Sequence, residues 1–242
     1  GLTPEEVDAL TGKPIGRPSS ATFRTLDLIG IDVFEAVLEN SIRITTDSDQ
    51  LETLEMPSYF KDMIHRGWCG EKTGQGFYRK TYTNEKKQIS VLNLDSLEYQ
   101  PMKYLMARSL DTIRNIEDPR ARINKLIRLD DITSRFAWRV LSKLMLYGAN
   151  LIGNITDEIV CVDRAMRWGF AWEIGPFEIW DSIGVQEVIS RMQTDGLDIP
   201  EWVLSLANNG DKFYSQHKQT IMQATPAGEY MPVIDSALES FH

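Results

Sequence analysis

Cysteine and histidine are scarce in this sequence. Its 242 residues include two cysteines, Cys69 and Cys161, and three histidines, His65, His217 and His242. No C-x-x-C pair and no ligand spacing occurs among them, which argues against a structural metal site. Long apolar runs are missing as well. Nothing approaches the roughly 20 residues needed to cross a bilayer, and the opening GLTPEEVDAL has neither the basic nor the apolar region of a signal peptide. The expected setting is the cytoplasm, with no membrane partner. Positive charge is in deficit, with 26 Lys and Arg against 35 Asp and Glu and a net charge of -9. The sequence pI is ≈ 4.9. That balance argues against a nucleic-acid partner, because phosphate-binding surfaces are normally basic. Catalytic apparatus is also missing: there is no nucleophile with a base, no carboxylate pair and no cofactor loop, so no catalytic residue is assigned.

What is present is a globular composition, 42% hydrophobic and 25% charged, and an internal echo. Gly12 to Gly30, GKPIGRPSSATFRTLDLIG, returns as Trp168 to Gly184, WGFAWEIGPFEIWDSIG. Phe23, Asp27 and Gly30 match Phe177, Asp181 and Gly184 at one constant offset, and Val7-Asp8 match Val162-Asp163 if one residue is inserted. A period near half the chain implies two copies of one unit and not a solenoid. The expected architecture is mainly α, two pseudo-symmetric copies each with a small β-hairpin appendage. Residues 1–102 would form the first copy, 103–132 a helical connector and 133–242 the second copy. The long helical stretch Thr133 to Ile155 precedes the matched segment in the second copy. Nothing before Thr3 can play that part in the first, so the chain reads as a fragment.

Along the chain, Thr3 caps a helix over Pro4–Thr11, with Pro4 at its first position and acids in the first turn. Gly12, Pro14, Gly16 and Pro18 make a stiff loop, and Ser19 or Ser20 caps a helix from Ala21 to Ile29 that stops at Gly30. A third helix runs from Asp32 to about Arg43, with Val33, Phe34, Val37, Leu38 and Ile42 on one face. After a polar loop at 45–55, Pro57 opens a helix burying Tyr59, Phe60, Met63 and Ile64. Strands follow at Phe77 to Tyr82 and Ile89 to Leu94, with a turn at 84–87. Helices are expected at Lys103 to Asn115 and Pro119 to Arg128. A long helix near Ser134 to Gly153 presents Phe136, Val140, Leu144 and Tyr147 at helical spacing. Asp157 to Arg167, Pro176 to Ile183, Val185 to Thr194 and Pro200 to Asn208 complete the helices. Phe213-Tyr214 matches Phe77-Tyr78, although the KTGQG element before the latter is lost from the second copy. Tyr230 repeats Tyr99 in a closing strand.

Three features could carry chemistry. KTGQG, ahead of Phe77, differs from a Walker loop because its lysine comes first and a strand follows, so it reads as a structural glycine turn. The GRPSSATF and EIGPF loops each precede a helix N-terminus, whose free N–H groups favour an anion or a carbonyl oxygen; plain helix capping is the competing reading. Trp168, Trp172 and Trp180 read as core or repeat-interface residues, and His65 as a solvated side chain.

IGRPSSATFRTLDLIGID, then GEKTGQGFY, and then VDRAMRWGFAWEIGPFEIWDSIG together resemble the C-terminal helical domain of the 3-hydroxyacyl-CoA dehydrogenases. The tandem form resembles the multifunctional fatty-acid β-oxidation enzymes, in which the dehydrogenase is fused to an enoyl-CoA hydratase. The resemblance implies transfer of a hydride from C3 of an L-3-hydroxyacyl-CoA to NAD, with a histidine removing the hydroxyl proton. It places the NAD site, the catalytic His and Glu and a substrate-contacting Asn in an N-terminal Rossmann domain and a first long helix. This chain has no strand leading into G-x-G-x-x-G, so those groups would lie ahead of Gly1, and the chain itself would bind no NAD. The helical domains would close over the acyl-CoA and mediate assembly.

The segment that carries over is Arg17, Pro18, Ser19, Ser20, Ala21 and Thr22, at the position of the family's G-x-P-x-G-P-F loop beside the acyl chain. Here SSATF stands where GPF is usual, whereas the second copy keeps Gly175-Pro176-Phe177. The implied partners are an acyl-CoA, the protein's own Rossmann domain and a second copy of the chain. Self-association is expected because Val37, Leu38 and their neighbours would share their surface with the missing helix. Two other readings stand beside this one, a non-enzymatic helical interaction module and an acyl-CoA-binding module.

Overall fold

The computed structural model describes residues 2–45, 54–83, 86–102 and 108–234. The expected loop at 45–55, the turn at 84–87 and the start of the helix at 103 fall wholly or partly outside them. The chain divides into two compact units, one of residues 1–13 and 19–106, the other of residues 14–18 and 107–242.

In the first unit, α1 spans Pro4–Thr11, α2 Phe23–Ile29, α3 Ile31–Ile44 and α4 Ser58–His65. Proline opens α1 as expected, but the Thr3 hydroxyl has no partner. The cap runs the other way, with Glu6 Oε2 accepting the Thr3 N–H at 2.8 Å. Gly30 separates α2 from α3 at φ 104, a left-handed backbone that favours glycine. Strands β1 (Tyr78–Thr83), β2 (Lys86–Leu92) and β3 (Tyr99–Pro101) form an antiparallel sheet in that order, with Tyr78 opposite Val91 and Leu92 opposite Tyr99. A small core of Ile31, Phe60, Met63, Phe77 and Leu92 lies between helices and sheet. Phe77 meets Phe23 edge-on at 4.6 Å. Val33, Val37 and Ile42 on α3 are exposed, as are Leu28 and Ile29 on α2. His65 is exposed, as its charged surroundings suggested.

In the second unit, α5 spans Arg108–Ile113, α6 Pro119–Ile127, α7 Ile132–Leu151, α8 Ile159–Arg164, α9 Pro176–Ile183, α10 Val185–Thr194 and α11 Glu201–Asn208. Asp118 accepts the Arg120 and Ala121 N–H groups ahead of Pro119, the cap expected there. Asp131 caps α7 by accepting from Ser134 N at 2.9 Å, so that helix begins two residues earlier than expected. Its buried stripe is also turned from the expected one: Ala137, Trp138, Leu141, Met145 and Ala149 face the core, and Tyr147 is exposed. Apolar residues occur nearly all round this helix, so spacing alone leaves its inward face open.

Helix α9 packs against α6, α7, α8 and α10, with Trp180 wholly buried. Trp168 sits in a π-turn at Ala165–Gly169 and is exposed, which leaves out the core half of the core or repeat-interface role expected for it, with Arg164 5.2 Å from its ring centroid. Strands β4 (Tyr214–His217), β5 (Thr220–Ala224) and β6 (Tyr230–Pro232) form an antiparallel sheet.

In each unit one aspartate ties helix to sheet. Asp27 of α2 accepts the N–H groups of Phe77 and Tyr78, both at 2.8 Å. Asp181 of α9 accepts those of Phe213 and Tyr214 at 2.9 and 2.8 Å. Gly76, which ends the KTGQG turn, and Gly70, two residues ahead of it, make room for this contact. A Cβ on Gly76 would sit 2.0 Å from Asp27 Oδ1, and one on Gly70 2.4 Å from the Asp27 carbonyl oxygen. Lys72 of that turn is held by Asp32 at 2.6 Å, in keeping with a structural turn and not a phosphate cradle.

Gly76→Ala is therefore expected to lower the stability of the first unit by about 2–4 kcal/mol, the scale of orphaning buried N–H donors, read as a reduced urea midpoint. A wild-type midpoint would mean that Asp27 can move aside. Burial pushes the carboxyl groups of Asp27 and Asp181 up to about 6 each, against the bonds from the backbone N–H groups. A raised carboxyl binds its proton more tightly folded than unfolded. Its stabilisation is complete below the unfolded value near 3.8 and is lost as pH rises through about 6. The urea midpoint should be higher at pH 5 than at pH 7.5; the reverse order would mean that the N–H bonds keep both groups ionised.

Candidate functional site

The loop singled out in the sequence is divided between the units. Arg17 and Pro18 belong to the second. There Ile15 is buried in the core, and the Gly16 carbonyl accepts the Glu173 N–H at 2.8 Å. A Cβ on Gly16, at φ 76, would meet Ile174 Cγ2 at 2.9 Å. The Arg17 guanidinium lies 4.3 Å from the centroid of half-buried Trp172. Burial lowers its pKa to about 10, and its Nε has no partner. The indole face supplies a cation–π contact in place of hydration.

Ser19 to Thr22 belong to the first unit. Ser19 is exposed. Ser20 Oγ accepts from Thr25 Oγ1 at 2.9 Å, and the Ala21 carbonyl accepts from the same hydroxyl at 2.9 Å. Ala21 holds φ 51, a left-handed backbone that costs a non-glycine residue energy. The Thr22 hydroxyl shares a 2.8 Å bond with that of Thr11.

Neither serine caps α2. That role falls to Asp8 of α1, whose carboxylate accepts the N–H groups of Thr22, Phe23 and Arg24 at 3.0, 2.6 and 2.9 Å and the Tyr78 hydroxyl at 2.7 Å. Of the two readings of these N–H groups the geometry fits helix capping, with the chain's own carboxylate taking them. In the second unit Asp163 does the same for Phe177 and Glu178 at 2.9 and 3.1 Å, with the Tyr214 hydroxyl at 2.8 Å. Gly175 admits it closely, since a Cβ there would lie 2.4 Å from the Asp163 carboxyl. Burial raises both carboxyl groups, Asp163 to about 7, and burial followed by the aspartate contacts raises both tyrosines. Asp8 and Asp163 had matched each other in the sequence echo. Their acceptor role was missed because an N-cap was sought next to the helix and not on a neighbouring one.

The second unit holds a cavity of ≈ 440 Å³ over Asp163, Asp181 and Tyr214, rimmed by Arg120, Arg164, Arg167, Glu178 and Lys212. Arg120 and Arg167 converge on Glu178 Oε1 at 3.0 and 3.4 Å, and Arg164 donates to the Ile234 carbonyl at 2.9 Å. The two aspartates in its wall are bonded to backbone and tyrosine donors, so the arrangement is one of folding and not of proton transfer. Among the described residues no group of three or more His, Cys, Asp or Glu could hold a metal ion. No described helix is long and apolar enough to cross a membrane. Both sheets are antiparallel, and the turn at 70–76 leads into a strand. The described residues therefore do not form the Rossmann arrangement of a glycine turn between a parallel strand and a helix.

Comparison with known proteins agrees with the family resemblance of the first part of the chain. Residues 1–80 match the family model described as 3-hydroxyacyl-CoA dehydrogenase, C-terminal domain. A Bacillus subtilis protein named "Probable 3-hydroxyacyl-CoA dehydrogenase" is 39% identical over 229 residues, covering 94% of this chain and 28% of its own length. A Deinococcus radiodurans protein of the same name is 48% identical over 81 residues, 34% of this chain and 22% of its own. A Rickettsia prowazekii protein named for a fatty acid oxidation complex trifunctional enzyme is 26% identical over 204 residues, 82% of this chain and 27% of its own. The chain thus spans under a third of the length of these relatives, and what it resembles is the C-terminal domain of 3-hydroxyacyl-CoA dehydrogenases.

Proposed function

We propose that this chain is the substrate-closing and assembly part of an NAD-dependent L-3-hydroxyacyl-CoA dehydrogenase that oxidises 3-hydroxyacyl-CoA to 3-oxoacyl-CoA in fatty-acid β-oxidation. The observation that carries the reading is the match of residues 1–80 to that family's C-terminal domain. In this reading residues 1–102 and 133–242 are two copies of that domain, and the connector at 103–132 packs with the second. The shared bonding supports this. Asp8 and Asp163 each take a helix N-terminus and a tyrosine hydroxyl, and Asp27 and Asp181 each take the first two N–H groups of the Phe-Tyr pair. NAD binds the longer protein on a Rossmann domain outside these residues, which supplies the chemistry of hydride acceptance. The residues of this chain exclude water and position the thioester.

Arg17, Pro18, Ser19, Ser20, Ala21 and Thr22 line the acyl chain. With the loop's backbone donors engaged by Asp8, its contribution is steric and through side chains. The exposed apolar residues of α2 and α3 form the surface for self-association, a patch of the kind that invites a partner.

The isolated 242 residues are expected to reduce no NAD with 3-hydroxybutyryl-CoA, while a longer protein containing them does; turnover by the isolated chain sinks the reading. Ser19 makes no recorded bond, so Ser19→Phe in the longer protein should leave the fold intact and raise KM several-fold for a long-chain substrate. An unchanged KM removes the loop from the site. Light scattering should show mass above that of a monomer at micromolar concentration, and Val37→Glu should return it to the monomer. A strictly monomeric wild type refutes the assembly role.

A further inference from the structure

The second unit carries a second cavity, of ≈ 460 Å³, between α7 and the C-terminal end of α10. Arg135, Arg139 and Lys143 lie on one face of α7 at successive i, i+4 steps, roughly 6 Å apart along the axis. Arg191 faces them from α10, and Asp195 is the one carboxylate in the wall. Four cations against one carboxylate is unusual for a chain of net charge -9. Arg139 and Lys143 have no acidic partner among the described residues, and Arg135 pairs only with a highly exposed Asp130.

Two groups in the cavity are held in place. The Arg191 guanidinium lies 4.1 Å from the Trp138 ring centroid and donates to the Ile127 carbonyl at 2.9 Å. Trp138 Nε1 in turn donates to Asp195 at 2.6 Å. The carboxylate is therefore engaged by the indole, and Arg191 is preorganised with further donors to offer. Like charges in series along α7 repel one another, and of the three only Arg135 has an acidic partner among the described residues. An anion seated among them would relieve that repulsion.

We propose that this groove binds a small organic phosphoanhydride of the nucleoside-diphosphate class. Arginine favours phosphate because its planar fork bonds it bidentately, and three cations in a row suit two linked phosphates better than one carboxylate. The cavity falls within the range of small-molecule sites, about 300–1,000 Å³, and exceeds what inorganic phosphate fills. Half-buried Leu197 gives the organic body an apolar surface. The site is separate from the acyl-binding loop and does not depend on the dehydrogenase reading.

The test is calorimetric titration of the 242-residue chain with ADP, pyrophosphate and adenosine. ADP is expected to bind one to one, pyrophosphate more weakly and adenosine not at all, with affinity falling as salt rises. The double variants Arg139→Glu with Lys143→Glu, and Arg139→Ala with Lys143→Ala, change only exposed side chains. Both should lose at least about tenfold in ADP affinity at an unchanged circular dichroism spectrum. Arg120→Ala, in the other cationic cavity, should bind as wild type. Absence of ADP binding at millimolar concentration, undiminished binding by both double variants, or loss through Arg120→Ala would overturn the proposal. Binding of adenosine as tight as ADP would overturn its phosphate basis.

Discussion

Everything in either unit hangs on a carboxylate buried against backbone N–H groups. Helices of seven or eight residues such as α2, α4 and α9 are too short to persist alone in water, and a three-stranded sheet of such short strands is little better placed. Asp27 and Asp181 join one to the other by satisfying donors at the start of a strand, and Asp8 and Asp163 fix the same helix from its other end. Each helix is thereby held at its N-terminus by an aspartate of a neighbouring helix and tied to the sheet by an aspartate of its own. The cost is visible in the raised carboxyl groups. Desolvation of the charged form outweighs the hydrogen bonds, so the latches are strong in geometry and sensitive to pH.

Around that common latch the units differ in how they bury apolar surface. The second surrounds α9 with four helices and encloses Trp180, Phe177 and Phe213 completely. The first fully encloses only five apolar residues in its cluster, and the face of α2 and α3 bearing Ile29, Val33 and Val37 is open. Ile183, at the position of Ile29 in the sequence echo, is 5% exposed where Ile29 is 51%. The difference is the presence of α6 and α7. Leu28, Ile29, Val33, Val37 and Ile42 are exposed together on α2 and α3, whereas singly scattered exposed hydrophobics are what every protein shows.

Much of this was legible in the sequence, and the failures are physical ones. Helix starts at Pro4, Pro119 and Pro176 followed from proline at a first position, and the separation of α2 from α3 followed from Gly30. The echo brought Asp8 to Asp163 and Asp27 to Asp181 before any coordinates existed. What local pattern could not supply was the role of those aspartates, because their partners are N–H groups on other elements, 14 to 51 residues away. The same gap misled the reading of Ser19 and Ser20 as caps. That Trp168 is outside the core has a different reason: a π-turn shifts the helical phase by one residue there.

The KTGQG turn shows what the latch requires and what it does not. The second unit has only Asp211 and Lys212 between Gly210 and Phe213, yet Asp181 makes the same two bonds that Asp27 makes. Positioning the strand N–H groups therefore does not need the turn. What the turn adds in the first unit is a set of ion pairs, Glu71 with Arg24 and Lys80, and Lys72 with Asp32. These are exposed, and such pairs stabilise by about 0–1 kcal/mol each. They brace the side of α2 and α3 nearest the sheet while leaving the face with Val33 and Val37 bare. A few surface pairs of this kind do not replace burial, and among the described residues the second unit buries more apolar side chains than the first.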